Sequence, residues 1–268
     1  MRLALAQLSI EPAALDANRQ QALDAIERAA ADGADLVVLP ELFTTGYFAF
    51  DSYARQAESL DGETLTAIAE AATDSEVAVL AGSIVEDLEA SAADGIDTPQ
   101  ADGFANTSVF FDHSGTRRAV YRKHHLFGYG SAEQELLTPG EKLPTVDFEG
   151  FTIGVTTCYD LRFPEQYRSL VDDGVTLTLV PSAWPYPRVE HWKLLPRARA
   201  VENLMYVAAA NGVGQFEDAE LLGRSTIYDP WGTTLASAND GPAIVTADID
   251  PEMVANRREE FPALADRR

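Results

Sequence analysis

The stretch DLVVL at Asp35–Leu39 decides the fold class. A continuous run of apolar residues dominated by Leu and Val is typical of a parallel strand that is buried on both faces. A helical pattern at Leu15–Ala31 precedes it and ends at Gly33, and another short apolar run lies at Arg2–Leu8. These segments predict a β–α–β unit at the start of the chain.

The same order of elements continues along the chain and then repeats. The first half adds a helix at Asp61–Thr73, a strand at Val77–Ala81 and a hairpin formed by Thr107–Asp112 and Arg117–Tyr121. The second half has strands at Phe151–Thr157 and Val175–Val180, helices at Pro164–Val171 and Val189–Asn203, and strands at Met205–Ala210, Ser225–Tyr228, Thr233–Ala236 and Ala243–Asp248. This pattern predicts an α/β fold of two mixed sheets packed face to face, a four-layer α-β-β-α sandwich. We expect a single domain over residues 1–268, a surface loop at Glu86–Asp102 and a C-terminal tail from about residue 251.

The composition excludes several classes of partner and site. The 268 residues include 43 acidic and 20 basic side chains, a formal net charge of -23. Nucleic acid and an anionic membrane are therefore poor partners, because the surface repels them. Only three of the basic residues are lysines. The acidic, lysine-poor composition favours a halophilic cytoplasm, and the single cysteine excludes an internal disulfide framework.

Three reactive side chains follow predicted strands. Cys158 ends the apolar strand of the second half, Glu41 follows Asp35–Leu39, and Lys123 follows the second strand of the hairpin. Taken alone, Cys158 is more simply a small buried hydrophobe, and Glu41 is equally well a helix-start or loop carboxylate in water. Together the three residue types supply a nucleophile, a base for its proton and a cation for an oxyanion.

The histidines offer other interpretations. A Cys–His pair with His124, His125 or His191 is an alternative to a carboxylate base, and the residues alone leave this choice open. None of the three has the spacing of a helical zinc pair. We expect no metal and no organic cofactor.

Three segments in this order resemble the catalytic signatures of the nitrilase superfamily of carbon–nitrogen hydrolases. They are Pro40–Leu42, Tyr121–Phe127 and Cys158–Glu165, and similar segments extend from Leu5–Gln7 to Pro262–Arg268, essentially the whole chain. The resemblance implies a triad of Glu41, Lys123 and Cys158 in an α-β-β-α sandwich. It also implies a homodimer or a higher homo-oligomer.

The resemblance extends to further site residues. Family members place another glutamate upstream of a Pro-Gly pair, here Pro139–Gly140, and counting back favours Glu133 over Glu135. The implied reaction is attack of the thiol on an amide carbon, with the Tyr159 backbone N–H and Lys123 stabilising the oxyanion, followed by release of ammonia and hydrolysis of a thioester.

The substrate class is also suggested by resemblance. Cys158–Glu165, Ser182–Pro185 and Arg197–Asn203 are similar to amidases of the omega-amidase group, which cleave small mono-amides such as 2-oxoglutaramate. We expect Tyr47, Tyr159 and Trp184 to contact the substrate. Positive charge for its carboxylate would come from Lys123 with Arg162 or Arg188, although Arg162 is expected mainly to pair with Asp160 or Glu165. The alternatives are an N-carbamoyl amino acid hydrolase, an aliphatic nitrilase and a non-catalytic relative that acts as a binding subunit.

Overall fold

A computed structural model describes Met1–Arg267; Arg268, the last residue of the predicted tail, lies outside the described residues. The strands are β1 Arg2–Gln7, β2 Leu36–Val38, β3 Ala78–Asp87, β4 Phe104–Phe111, β5 Arg117–Arg122, β6 Thr145–Phe148, β7 Phe151–Val155, β8 Leu177–Ser182, β9 Tyr206–Asn211, β10 Val213–Gln215, β11 Glu220–Leu222, β12 Thr226–Tyr228, β13 Thr234–Ser237 and β14 Ala243–Asp248. The helices are α1 Leu15–Ala31, α2 Tyr53–Gln56, α3 Glu63–Asp74, α4 Leu88–Ala93, α5 Glu133–Leu136, α6 Pro164–Asp172, α7 Val189–Asn203 and α8 Pro251–Glu260, with 3₁₀ turns at Phe50–Ser52 and Cys158–Arg162.

Two six-stranded mixed sheets form the centre of the molecule. Their strand orders are β14-β1-β2-β3-β4-β5 and β13-β12-β9-β8-β7-β6. In the first sheet β1, β2 and β3 are parallel, and in the second β7, β8 and β9 are parallel. The predicted fold class is confirmed. The last strand, β14, returns to the first sheet and pairs antiparallel with β1 over all six of its residues.

The alternation of side chains along β1 shows how the layers pack. Leu3 and Leu5 lie in a buried cluster with Ile153 and Leu177 of the second sheet, whereas Ala4 and Ala6 lie in a cluster with helix α1. On α1 the buried residues Ala22, Ala25, Ile26 and Ala29 form one stripe at helical spacing. One face of each sheet therefore packs against the other sheet and the opposite face packs against helices. Each fully buried Leu stabilises this arrangement by roughly 1.5–3 kcal/mol.

The segment Glu86–Asp102 corrects one expectation. Instead of a surface loop from Glu86 onward, β3 continues to Asp87 and α4 follows directly. Glu86 is fully buried because the Arg122 guanidinium donates two hydrogen bonds of 2.7 Å to its carboxylate and Thr107 donates a third of 2.6 Å. A buried charge is tolerated when it is paired and hydrogen-bonded in this way.

The expected tail begins with a helix rather than an irregular segment. Asp250 caps α8 by accepting from the Glu252 N–H, and Pro251 occupies the first turn. Val254 is buried, and Arg258 donates to the Val175 and Leu204 carbonyls. These contacts fix α8 against the second half although its sequence has almost no apolar face. No helix among residues 1–267 is both long and apolar enough to cross a membrane.

Candidate active site

The ends of three strands bring the predicted triad together. Glu41 lies three residues beyond β2 of the first sheet, Lys123 directly follows β5, and Cys158 lies three residues beyond β7 of the second sheet. Cys158 has a φ of 46°, a left-handed conformation that is rare for a non-glycine residue, and begins the 3₁₀ turn. This sharp turn presents the side chain to a cavity of about 210 Å³.

Lys123 lies between two buried carboxylates. Its Nζ is 2.8 Å from Glu41 Oε1, 2.8 Å from Glu133 Oε1 and 3.0 Å from Glu133 Oε2. The lysine is 1% exposed and both glutamates are 0% exposed. Glu135, the alternative second glutamate, is exposed on the same short helix. The choice of Glu133 over Glu135 therefore agrees with the geometry.

The two carboxylates differ in their capacity to accept a proton. Glu133 Oε2 also accepts from Tyr47 Oη at 3.0 Å and from the Phe127 N–H at 2.6 Å, and Oε1 also accepts from Asn106 Nδ2 at 3.2 Å, so both oxygens are fully occupied by donors. On Glu41, Oε1 accepts from Lys123 and from Asn106 Nδ2 at 2.9 Å, whereas Oε2 has a single hydrogen-bond donor among residues 1–267, the Ala183 N–H at 2.9 Å. Because each carboxylate oxygen has two lone pairs, Oε2 of Glu41 has one left for a further donor.

Burial and charge perturb the pKa values of all three predicted triad residues. Burial raises the pKa of Glu41, and this effect outweighs the opposing charge of Lys123. Burial raises the pKa of Cys158 well above its usual value, and the charge of Glu41 adds to the effect. For Lys123 burial alone would lower the pKa, but Glu133 and Glu41 outweigh it and raise the pKa well above its usual value. At neutral pH the sulfur is therefore a thiol beside a permanent ammonium ion.

The cavity next to Cys158 has an aromatic lining. Lys123 and Cys158 reach its wall, and so do all three predicted substrate contacts, Tyr47, Tyr159 and Trp184. The sequence did not point to the other aromatic lining residues, which are Phe48, Phe127, Tyr129 and Tyr186. No histidine lines this cavity in the described part of the chain.

The expected pairing of Arg162 with Asp160 or Glu165 is wrong. The fully buried Asp160 carboxylate instead accepts from Tyr121 Oη at 2.5 Å, from the Thr157 N–H at 2.8 Å, and from the His125 N–H. It also lies 2.8 Å from His125 Nδ1. Because these donors surround the Asp160 carboxylate, the Arg162 guanidinium does not pair with it and lies at the cavity instead.

Two guanidinium groups face the cavity. Arg162 lies over the Trp184 ring, 5.2 Å from its centroid, and its Nη2 donates to His191 Nδ1 at 3.1 Å. Arg188 lies 5.7 Å from the centroid of the Phe127 ring. Among the ion pairs of residues 1–267, neither arginine has a carboxylate partner.

His125 and His124 contact residues that do not line the cavity. The His125 ring stacks on Phe163 with centroids 3.6 Å apart and an interplanar angle of 8°. His124 Nε2 lies 3.2 Å from the Lys142 carbonyl oxygen. No group of three or more His, Cys, Asp or Glu side chains over residues 1–267 could hold a metal ion.

Sequence reasoning missed Asn106, which contacts both buried glutamates through its Nδ2. Asn106, Thr107 and Ser108 are three consecutive polar residues on β4, and all are buried. Such a run inside a strand with apolar neighbours is a signal in the sequence, because buried polar groups need specific partners. The partners themselves lie far away in sequence.

Comparisons with known proteins show relatives over most of the chain. The family model described as carbon-nitrogen hydrolase matches residues 2–259. The chain is 39% identical to a 2-oxoglutaramate amidase of Paenarthrobacter nicotinovorans over 88% of this chain and 79% of that protein. It is 34% identical to an omega-amidase of Homo sapiens over 100% of this chain and 95% of that protein.

Two solved structures are similar over nearly the whole chain. One is a Saccharomyces cerevisiae member of branch 10 of the nitrilase superfamily, with a TM-score of 0.86, 32% identity and coverage of 98% of this chain and 94% of that chain. The other is an amidase from Nesterenkonia sp. AN1 with acrylamide added to its active-site cysteine, with a TM-score of 0.81, 28% identity and coverage of 99% of both chains.

Proposed function

This chain belongs to the carbon–nitrogen hydrolase family, in the omega-amidase-like branch of the nitrilase superfamily, and on that premise we propose how it cleaves its substrate and which substrate it takes. The protein is a hydrolase of amide C–N bonds. We propose that Cys158 is its nucleophile, Glu41 its general base, and the terminal amide of a small dicarboxylic mono-amide its substrate. The observation that carries the proposal is a thiol at the cavity wall that shares the Ala183 N–H with the buried carboxylate of Glu41, whose charge helps to raise the pKa of Cys158.

The first half of the reaction forms a thioester. Glu41 Oε2 takes the proton from the Cys158 thiol as the sulfur attacks the amide carbon, and the carbonyl oxygen becomes an oxyanion. A base is necessary because the raised pKa of Cys158 keeps the sulfur protonated at neutral pH. Lys123 and the Tyr159 backbone N–H stabilise the oxyanion. Glu41 then returns the proton to the leaving nitrogen, and the C–N bond breaks to release ammonia.

The second half hydrolyses the thioester. Glu41, ionised again, takes a proton from water as the water oxygen attacks the acyl carbon. The carbon–sulfur bond then breaks as Glu41 returns this proton to the sulfur, which gives the carboxylic acid and the thiol. Glu133 holds the ammonium of Lys123 in place instead of acting as the base, because donors already occupy both of its oxygens. The cysteine adduct of the Nesterenkonia amidase supports a cysteine nucleophile in proteins of this fold.

Positive charge at the cavity supports an anionic substrate. Arg162 and Arg188 have aromatic neighbours and no carboxylate partner among residues 1–267, in a protein whose net charge is -23. A substrate carboxylate would complete these ion pairs through charge-assisted hydrogen bonds. The relatives named 2-oxoglutaramate amidase and omega-amidase support the same substrate class. We propose that the arginines bind the carboxylate while the amide at the other end reaches Cys158.

The test is ammonia release from 2-oxoglutaramate, an uncharged aliphatic amide, an N-carbamoyl amino acid and a nitrile. We expect 2-oxoglutaramate to have the highest kcat/KM. Arg162→Met should lower this kcat/KM roughly 10- to 100-fold, the effect of losing one or two hydrogen bonds to a charged group. Hydrolysis of the uncharged amide should change little. Arg28→Met, exposed on α1 and outside the cavity lining, is the control. Cys158→Ala should release no ammonia and keep its circular dichroism spectrum. Preference for a nitrile or a carbamoyl compound would refute the substrate assignment.

We also propose that the protein is a homodimer. Leu194 and Val201 are exposed seven residues apart on one face of α7, and Trp231 and Phe261 extend the same apolar surface. Burying this surface against a second copy would remove it from water. Light scattering should give twice the 29.1 kDa of one chain, and Leu194→Glu should give the single-chain mass. A single-chain mass for the unmodified protein would refute the dimer.

A further inference from the structure

Asn106 contacts every charged member of the buried cluster. Its Nδ2 is 2.9 Å from Glu41 Oε1 and 3.2 Å from Glu133 Oε1, and its backbone carbonyl accepts the Lys123 backbone N–H at 2.9 Å. The side chain is 1% exposed, so no solvent replaces these contacts. Asn106 therefore links β4 to both carboxylates and to the residue that carries the ammonium.

The chemistry of its neighbours determines the orientation of the Asn106 amide. Turning the amide over would bring Oδ1 against two carboxylate oxygens, where it would be repelled. In the observed orientation Oδ1 is buried and has no hydrogen-bond partner among the described residues. A buried acceptor without a partner destabilises the folded state. The observed orientation therefore lowers the stability of the folded state, but it directs both N–H groups of the amide at the glutamates.

The donor count on Glu41 shows what these N–H groups do. Lys123 alone would leave one lone pair of Oε1 free, and the terminal torsion of a glutamate side chain is soft. With Asn106 in place Oε1 is filled, and the only free acceptor position is on Oε2. The Ala183 N–H that donates to Oε2 also faces the Cys158 sulfur, so Oε2 is the oxygen on the side of the thiol.

We propose that Asn106 is a positioning residue that fills Oε1 of Glu41 and Oε1 of Glu133, so that the proton of Cys158 is transferred to Oε2 of Glu41. This inference rests on the proposed function, because it assigns Glu41 as the base. Asn106 does not touch the substrate. It acts through the carboxylate, by restricting both its rotation and the site of protonation.

The experiment compares Asn106→Leu, which has the same number of side-chain heavy atoms but no donors, with Asn203→Leu. Asn203 is a matched control because it is equally buried, has an unpartnered Oδ1 of its own and lies at the end of α7, where its Nδ2 bonds only the Arg199 carbonyl. For Asn106→Leu we expect kcat to fall about 30-fold with KM within about twofold, the loss expected for one hydrogen bond to a charged group. Asn203→Leu should keep the kcat of the parent.

The pH dependence separates positioning from a purely structural role. Removing a donor from an ionised carboxylate makes that form less stable, so the acidic limb of kcat/KM should move to higher pH in Asn106→Leu. The pH dependence of alkylation of Cys158 by iodoacetamide should move in the same direction. A parent-like kcat, or a lower kcat and lower thermal stability with both pH profiles unchanged, would overturn the proposal.

Alkylation also distinguishes failure of this inference from failure of the proposed function. Iodoacetamide reports on the thiol and its base without any substrate. If the unmodified protein released no ammonia from any amide but Asn106→Leu shifted the alkylation profile, the proposed substrate would be wrong and the positioning role would remain. If ammonia release followed expectation but neither pH profile moved, only the role of Asn106 would be refuted.

Discussion

Glu133→Gln tests whether the second glutamate holds Lys123 without acting as a base. The carboxylate accepts from Lys123, Asn106, Tyr47 and the Phe127 N–H. A glutamine can keep its carbonyl oxygen on Lys123 and Asn106, but its NH₂ group must then face Tyr47 Oη, the Phe127 N–H and Lys123 Nζ, which is 3.0 Å from Oε2. The Tyr47 hydroxyl can rotate and become an acceptor, whereas the Phe127 N–H cannot.

The magnitude follows from these contacts. One buried N–H without an acceptor costs roughly 1–3 kcal/mol, and replacing a charged partner of Lys123 by a neutral one removes part of a bond of roughly 1.5–3 kcal/mol. Removing one of two neighbouring negative charges offsets part of this loss. We therefore expect the free energy of unfolding to fall by about 2–3 kcal/mol and, because Lys123 is less firmly held, kcat to fall about 100-fold.

The direction in which the pH profile moves tests this mechanism. Burial is the largest cause of the raised pKa of Glu41, and the negative charge of Glu133 raises it further. Removing that charge lowers the pKa of Glu41, so the acidic limb of kcat/KM should move to lower pH, opposite to the shift expected for Asn106→Leu. Ammonia release between pH 4 and 9 and urea unfolding are the assays, and the exposed neighbour Glu135→Gln is the control. A kcat within threefold of the parent, or a limb that moves to higher pH, would refute the reasoning.

Three further predictions concern the unmodified protein and one more variant. Because the pKa of Glu41 is raised, the activity of the parent should fall on acidification at a pH above the usual range of a glutamate. Because the pKa of Lys123 is also raised, the activity should not fall at mildly alkaline pH. An acidic limb at the usual glutamate pKa would contradict this prediction. Asp160→Asn replaces a carboxylate that has four polar contacts by an amide. Urea unfolding should therefore show a free energy of unfolding lower by about 2–3 kcal/mol, and kcat should fall at least tenfold. An unchanged unfolding midpoint would argue against this role of Asp160. Since the net charge is -23, the unfolding temperature should rise in molar KCl; equal stability in dilute buffer would exclude the halophilic interpretation.

Hydrophobic periodicity predicted the elements that are buried by their own apolar residues. The bounds of α1, α7 and β14 agree with the expectation. The pattern is clearest in α1, whose buried residues Ala22, Ala25, Ile26 and Ala29 lie at helical spacing before Gly33. The edge strand β6 and the short strands β10 and β11 were missed, since only their pairing with neighbours makes them strands. Helix α8 was missed for a similar reason: its contacts come from Arg258 and the distant Val175 and Leu204 carbonyls.

In the candidate site, too, residues in local motifs could be predicted and residues defined by distant contacts could not. Glu41, Lys123 and Cys158 belong to recognisable local motifs, so sequence could name them, although Lys123 and Glu41 meet across 82 residues of chain. Glu86 was misassigned to a loop because its partner Arg122 lies 36 residues away. Asn106 has no motif of its own, and its role depends on two carboxylates from other parts of the fold. Residues whose function is to hold another side chain become visible only when the contacts are known.

The pairing of β14 with β1 has a consequence for how the molecule is made. Until β14 is synthesised, β1 is the open edge of the first sheet, with backbone groups free to bind another strand. Contacts so distant along the chain form slowly. During translation the nascent chain therefore holds an unprotected edge until residues 243–248 have been synthesised. We expect ribosome-bound chains that stop before Ala243 to be sensitive to proteases and to bind chaperones.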